Sequence, residues 1–290
     1  MEKKEYRLKG HESFILRDGW LTKGLRAVSA KPKVFSENSG ADALGVGTNM
    51  AKAIRYWLRA AGLTNDTPKG VYLTELGQTI FEKDPYFEDE FSLWLVHINI
   101  AKNAGLATSW NLFFNNISVT SFSRKELESM ITGAILETYG VRAPERSVGD
   151  DCAAILQMYA GSDDDDGINF DPEEKRRSPF VSLGLIKYSD NDHSFEKCRP
   201  SIGDIDPLLI LYLIAEELRA SNSLPIDTIV GGYNMAGKIL NLNRVAINDY
   251  LDALQKQGHI IVNRTAGLDM VYPNAPISPI DAVKKHYERR

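Results

Sequence analysis

The stretch Leu44–Leu63, LGVGTNMAKAIRYWLRAAGL, leaves this chain the least freedom. Gly45 and Gly47 punctuate a turn, and Thr48 and Asn49 give a polar helix start. Gly62 stands where a left-handed cap suits a residue without a Cβ. The spacing between them predicts one helix. At helical pitch Met50, Ala51, Ile54, Trp57, Leu58 and Ala61 share one side. Thr48, Lys52, Arg55 and Arg59 form a stripe on another side, with Asn49 and Tyr56 beside it. An apolar face turned inward and a basic, amide-bearing face turned outward describe the second helix of a helix-turn-helix. They equally describe a core helix whose cations merely meet water.

Charge separates these two readings. The net charge of −5 disfavours a nucleic-acid partner on average. Residues 1–63, however, hold 12 Lys and Arg against 6 Asp and Glu, and the remainder holds 22 against 33. Charge gathered at one end governs partner choice more than the total does. The basic end contains the amphipathic helix, which favours the DNA-facing reading and double-stranded DNA as the partner.

A chain of 290 residues implies two or three domains, and 43% hydrophobic with 25% charged residues is ordinary for a globular protein. No apolar run is long enough for a membrane span, and MEKKEYRLKGHE lacks the apolar core of an export signal. Cys152 and Cys198 have neither CxxC spacing nor a histidine cluster. That argues against a disulfide framework or structural zinc and leads to the expectation of a reducing cytoplasm.

The expected fold is α+β and mostly helical, with two winged-helix modules flanking a helical middle domain. Residues 1–86 form the first module: a helix from Trp20, the helix above, a hairpin turning over Asn65–Gly70, and a last helix capped by Thr74. Residues 87–160 read as helical. Phe91, Leu93, Trp94, Leu95, Ile98 and Ile100 make one helix apolar nearly all round, so His97 within it reads as a satisfied core histidine. Ser123 with Glu126 forms a capping box, and Ser147 or Asp150 opens the next helix. Residues 161–200 read as an acidic loop and a short strand over 180–188. Neither the Asp163–Asp166 run nor the Asp171-to-Lys175 grouping has the alternation or strand setting a metal site needs.

Residues 201–275 repeat the winged-helix pattern, with Asp206-Pro207 opening an apolar helix and Asn243 capping a later one; residues 276–290 form a tail. Matching Leu44 with Leu240 and Gly62 with Gly258 places Arg244, Asn248, Leu251 and Gln255 opposite the basic stripe, with Asp249 and Asp252 alongside. Those aspartates repel phosphates, so the first module is the expected DNA reader.

Four stretches carry a family resemblance: GHESFILRDGWLTKGL (10–25), DALGVGTNMAKAIRYWLRAAGL (42–63), SVGDDCAAILQMY (147–159) and SPFVSLGLI (178–186). They resemble a bacterial family first catalogued as a domain of unknown function and similar to the SspB component of DNA phosphorothioation loci. The resemblance implies a DNA-nicking protein working beside a sulfurtransferase and a cysteine desulfurase in phage defence. A nickase needs an activated nucleophile and stabilisation of developing phosphorane charge. Within the resembling stretch His11 is the candidate base and Glu12 the candidate ligand for Mg or Mn, next to Arg17 and Lys23, with Tyr56 as a further nucleophile. The same Gly10-His11-Glu12 also reads as a turn packing the N-terminal arm. A regulator without catalysis, and a scaffold recruiting the sulfurtransferase, remain alternatives. A homodimer is a further expectation, since winged-helix proteins commonly pair.

Overall fold

The structure is a computed structural model that describes residues 5–161, 177–201, 203–265 and 268–289. It divides into two compact units, 1–198 and 199–290.

The first unit opens with α1 (Trp20–Ala30), two single 3-10 turns (Val34–Ser36 and Asn38–Gly40), α2 (Ala41–Leu44) and α3 (Thr48–Ala60). In α3 most of the inward set is buried, namely Ala51, Ile54, Trp57 and Leu58, as is Ala61 just beyond the helix, whereas Met50 in the first turn is half-buried and Tyr56, placed beside the outward stripe, is buried as well. Gly62 follows at φ 67°, the left-handed stop. Packing of α1 on α3 depends on Gly24, where a Cβ would stand 2.6 Å from Leu58 Cδ1. An antiparallel hairpin follows, β1 (Thr64–Thr67) with β2 (Gly70–Leu73), then α4 (Glu75–Lys83) capped by the Thr74 hydroxyl.

The hairpin corrects the predicted six-residue turn. Asn65-Asp66-Thr67-Pro68 has turn composition, but pairing with Val71 and Tyr72 pulls Asn65 and Asp66 into strand. Only Pro68 and Lys69 remain as the turn, held by Lys69 N donating to Thr67 Oγ1 at 3.2 Å.

Next come α5 (Glu90–Lys102), α6 (Thr108–Asn116), β3 (Ser121–Phe122), α7 (Arg124–Tyr139) and α8 (Glu145–Tyr159). Helix α5 is buried nearly all round, and His97 shares a 2.7 Å hydrogen bond with the Tyr159 hydroxyl inside an aromatic core of Trp94, Phe114 and Phe180. The Ser123–Glu126 capping box opens α7. Helix α8 starts earlier than its polar residues suggested, because Pro144 sets the first turn and its carbonyl receives Val148 N. The Asp163–Asp166 run and the Asp171-to-Lys175 grouping lie outside the described residues. The strand expected over 180–188 forms only in its second half. Ser178 and Pro179 start a 3-10 turn (Pro179–Leu183), Gly184 ends it at φ 62°, and β4 (Ile186–Ser189) follows. With β5 (Ser194–Lys197) it completes an antiparallel sheet in the order β3-β5-β4.

The second unit begins with α9 (Pro207–Ser221), whose Asp206 carboxylate accepts from Leu208 N as the cap. Leu208 to Leu211, Leu213, Ile214 and Leu218 are buried and make α9 the core of this unit, packed by α12 and α13. The remaining elements are β6 (Leu224–Pro225), α10 (Ile226–Gly231), α11 (Ala236–Ile239), α12 (Arg244–Lys256), β7 (Ile260–Thr265), β8 (Leu268–Pro273) and α13 (Pro279–Glu288), with sheet order β6-β8-β7. The fold is therefore α+β, mostly helical with small antiparallel sheets. No helix among the described residues is long and apolar enough to cross a membrane.

Candidate nucleic-acid interface

The outward stripe of α3 opens onto a cleft of about 270 Å³. From α3 come Lys52, Arg55, Tyr56 and Arg59; Ser39 and β1 Asp66 supply one side, and Arg7, Gly10 and Glu12 of the N-terminal arm another. Four cations thus face two carboxylates. Arg55 Nη2 lies 2.9 Å and Arg59 Nε 3.2 Å from the same Asp66 Oδ2, with the two arginine side chains 41% and 34% exposed. One carboxylate cannot neutralise two guanidiniums, and each retains donors for another oxygen. Lys52 is exposed and reaches Asn49 Oδ1 at 3.4 Å. Asn49 and Thr48 stand exposed at the start of α3, Thr48 Oγ1 donating to Asn38 Oδ1 at 3.2 Å.

Tyr56 contributes a ring rather than an oxyanion. Its hydroxyl donates to Leu106 O at 2.9 Å. Burial, with the nearby Asp151 charge adding, pushes the phenol far above its ordinary range. Arg7 lies over this ring, 5.6 Å from its centroid. Gly10 permits that approach, since a Cβ there would collide with the Tyr56 ring and stand 2.8 Å from Arg7 Nε.

His11 and Glu12 are parted by the backbone. His11 is 1% exposed, stacked on Trp57, and its Nε2 lies 3.0 Å from Asp151 Oδ1. Asp151 also accepts Lys9 N at 2.9 Å and Ser109 Oγ at 2.6 Å. Serine, aspartate and histidine do meet here, but the carboxylate stands between the other two. A nucleophile triad needs the histidine between them. This buried centre fastens the arm to α6 and α8. Glu12, at φ 53°, is exposed and lines the cleft instead. Arg17 and Lys23 are not part of the cleft lining. Arg17 lies over Phe14 and Trp20, with ring centroids 5.5 and 5.3 Å away, beside a separate cleft of about 200 Å³. Lys23 is exposed on α1.

No three His, Cys, Asp or Glu among the described residues group as metal ligands. Asp66 is already shared by two guanidiniums, which leaves Glu12 as the cleft carboxylate open to a cation. Magnesium held through one carboxylate takes its other ligands from water and substrate phosphates.

Sequence reasoning missed Arg7, Ser39 and Asp66 in the cleft and Asp151 beneath it. Asp66 was hidden by the turn composition of its strand. The matching face of α12 is self-neutralised: Arg244 pairs with both Asp227 and Asp269, and Arg264 reaches Asp252 at 2.7 Å.

The model of the family described as proteins of unknown function (DUF4007) matches residues 8–287. The chain belongs to this family. No curated protein matches the DUF4007 chain. Two solved structures share its fold, a magnesium ion-bound SspB crystal structure at TM-score 0.83 and an SspB crystal structure at 0.82. Each is 22% identical, covers 97% of this chain and is itself covered over 88% of its length. The resemblance to SspB carried by the four sequence stretches therefore extends to the fold.

Proposed function

We propose that this DUF4007 chain is the DNA-binding component of a bacterial DNA phosphorothioation and phage-defence system. It nicks DNA in the cytoplasm so that a partner sulfurtransferase, fed by a cysteine desulfurase, can insert sulfur. The observation that carries the reading is the cation-rich face of α3, open on a cleft lined by Arg7, Lys52, Arg55 and Arg59. The SspB-like fold supports the assignment to sulfur modification. In this reading α1 to β2 and α9 to β8 work as winged helices, the first meeting duplex DNA. The second, its cations spent on its own acids, faces a protein such as a second copy.

A non-enzymatic DNA-binding regulator is the second reading. It is favoured by the burial of His11 and its bond to Asp151, which withdraw the candidate base from solvent. Supercoiled plasmid separates the two readings. Open circles that need Mg or Mn and vanish in Glu12→Gln support the nickase, whereas a mobility shift without nicking supports the regulator. Lys52→Ala with Arg59→Ala lowers duplex affinity by about 100-fold at low salt, since each cation withdrawn from a phosphate removes one increment of counterion release. Asn248→Ala leaves affinity unchanged. Equal loss in both variants would overturn the placement of DNA on α3.

A further inference from the structure

Of the two acids lining the α3 cleft, Glu12 is exposed on the arm, whereas Asp66 sits among the cations, where a phosphate-binding surface would gain from none. Asp66 reaches across from β1, and its Oδ2 is the common acceptor for Arg55 Nη2 and Arg59 Nε. Its second oxygen, Oδ1, is buried without a hydrogen-bond partner, as is Arg55 Nε. An unsatisfied carboxylate oxygen beside an unsatisfied guanidinium nitrogen means the three groups are not in the arrangement that pairs them best. The carboxylate carries one charge against two, so a surplus positive charge remains beside the exposed Lys52 ammonium and Arg7 guanidinium. The cleft volume, about 270 Å³, falls below that of pockets for drug-sized ligands, which start near 300 Å³. That is room enough for a phosphate group.

We propose that this cleft is a discrete site for a single phosphate group, with Asp66 as its built-in counter-ion. In the free protein the carboxylate keeps Arg55 and Arg59 together against their mutual repulsion. An incoming phosphate, with more acceptor oxygens and up to twice the charge, takes over both guanidiniums and engages Lys52 and Arg7. Asp66 thereby sets the affinity threshold: it organises the clamp and competes for it. A phosphate of a DNA backbone and a terminal phosphate on a nicked strand share this chemistry. The inference deepens the DNA-binding reading and rests on the same cleft.

The test measures the thermal unfolding midpoint of the full chain in rising inorganic phosphate, with chloride adjusting ionic strength to a constant value. Wild type gains stability saturably in phosphate over chloride. Lys52→Ala, an exposed change with no packing cost, needs more phosphate for the same gain. Asp66→Asn melts lower than wild type in chloride, yet saturates at about five-fold lower phosphate, the worth of removing one partly exposed carboxylate charge that competes for the two guanidiniums. Identical midpoints in the two salts for wild type overturn the site. Phosphate affinity in Asp66→Asn equal to or below wild type overturns the counter-ion role; if that variant does not fold, the Lys52→Ala comparison still decides the site. Displacement by inorganic phosphate of a duplex with unphosphorylated ends identifies the backbone as the source. Displacement only of a strand bearing a 5′-phosphate identifies the terminus, and displacement of neither overturns the proposal. A duplex that binds a phosphate-indifferent protein defeats this inference alone, whereas saturable phosphate binding without any duplex binding defeats the proposed function.

Discussion

At the scale of single residues, Asp151 supports the cleft without lining it. It is 1% exposed, and three donors from two distant parts of the chain converge on it: Lys9 N, His11 Nε2 and Ser109 Oγ. A buried carboxylate is tolerated only when such donors replace its hydration. Asp151→Ala strands all three, and each buried orphan costs about 1–3 kcal/mol, so a loss of about 4 kcal/mol is expected in urea unfolding. The same variant frees the arm that carries Arg7, Gly10 and Glu12, so duplex affinity falls although no cation has been removed. Retained affinity at conditions where the variant is fully folded would show that the arm is not part of the binding surface. Gly10→Ala perturbs the same arm, between Lys9 and His11. The new methyl collides with the Tyr56 ring, a buried side chain with its hydroxyl fixed on Leu106 O, so the arm must lift and affinity falls.

At the scale of elements, helix starts follow from residues one turn away, and one of them adds a pH response. Asp206 caps α9 through Leu208 N at 2.8 Å and meets His286 Nδ1 of α13 at 2.7 Å. Burial alone would raise this carboxyl. The hydrogen bonds from His286 and Leu208 N, together with the His286 and Arg289 charges, outweigh burial and hold it below the usual aspartate range. A carboxyl whose folded pKa is depressed releases its proton more readily in the native state than when unfolded. Its stabilisation is complete above the unfolded pKa, near 3.9, and is lost as pH falls from there through the folded value. Asp206→Ala removes the cap and the hydrogen bond with His286 together, for a loss of about 2 kcal/mol at neutral pH. The gap between variant and wild type closes on acidification below about pH 4. A gap that stays constant down to pH 2 in thermal melts would contradict this.

At the scale of the whole molecule, charge is sorted between the two units. The first unit leaves Lys52 and Arg7 without carboxylate partners among the described residues and shares one acid between Arg55 and Arg59. The second balances Arg244 with two aspartates. Duplex binding should therefore weaken with salt through the first unit alone. In mobility shifts at several salt concentrations, Lys52→Ala should flatten the logarithmic slope by about one counterion, whereas Arg244→Ala leaves it unaltered. A flattened slope in Arg244→Ala would place phosphates on the second unit as well. By itself the sequence determined α3 with its apolar side and Gly62 stop, the Thr74, Ser123, Asp206 and Asn243 caps, and the burial of His97. Each of these depends on partners within a turn or two, or on a pattern of apolar residues that water enforces directly. Only the tertiary structure decided the cleft. Asp66 becomes a partner of Arg55 and Arg59 because strand pairing overrides its turn-like neighbours. Arg17 is drawn aside by two aromatic rings. His11 is withdrawn from its neighbour Glu12 by a carboxylate 140 residues away. Contacts across such separations leave no local periodicity, since they are fixed by packing among elements and not by the order of residues within one.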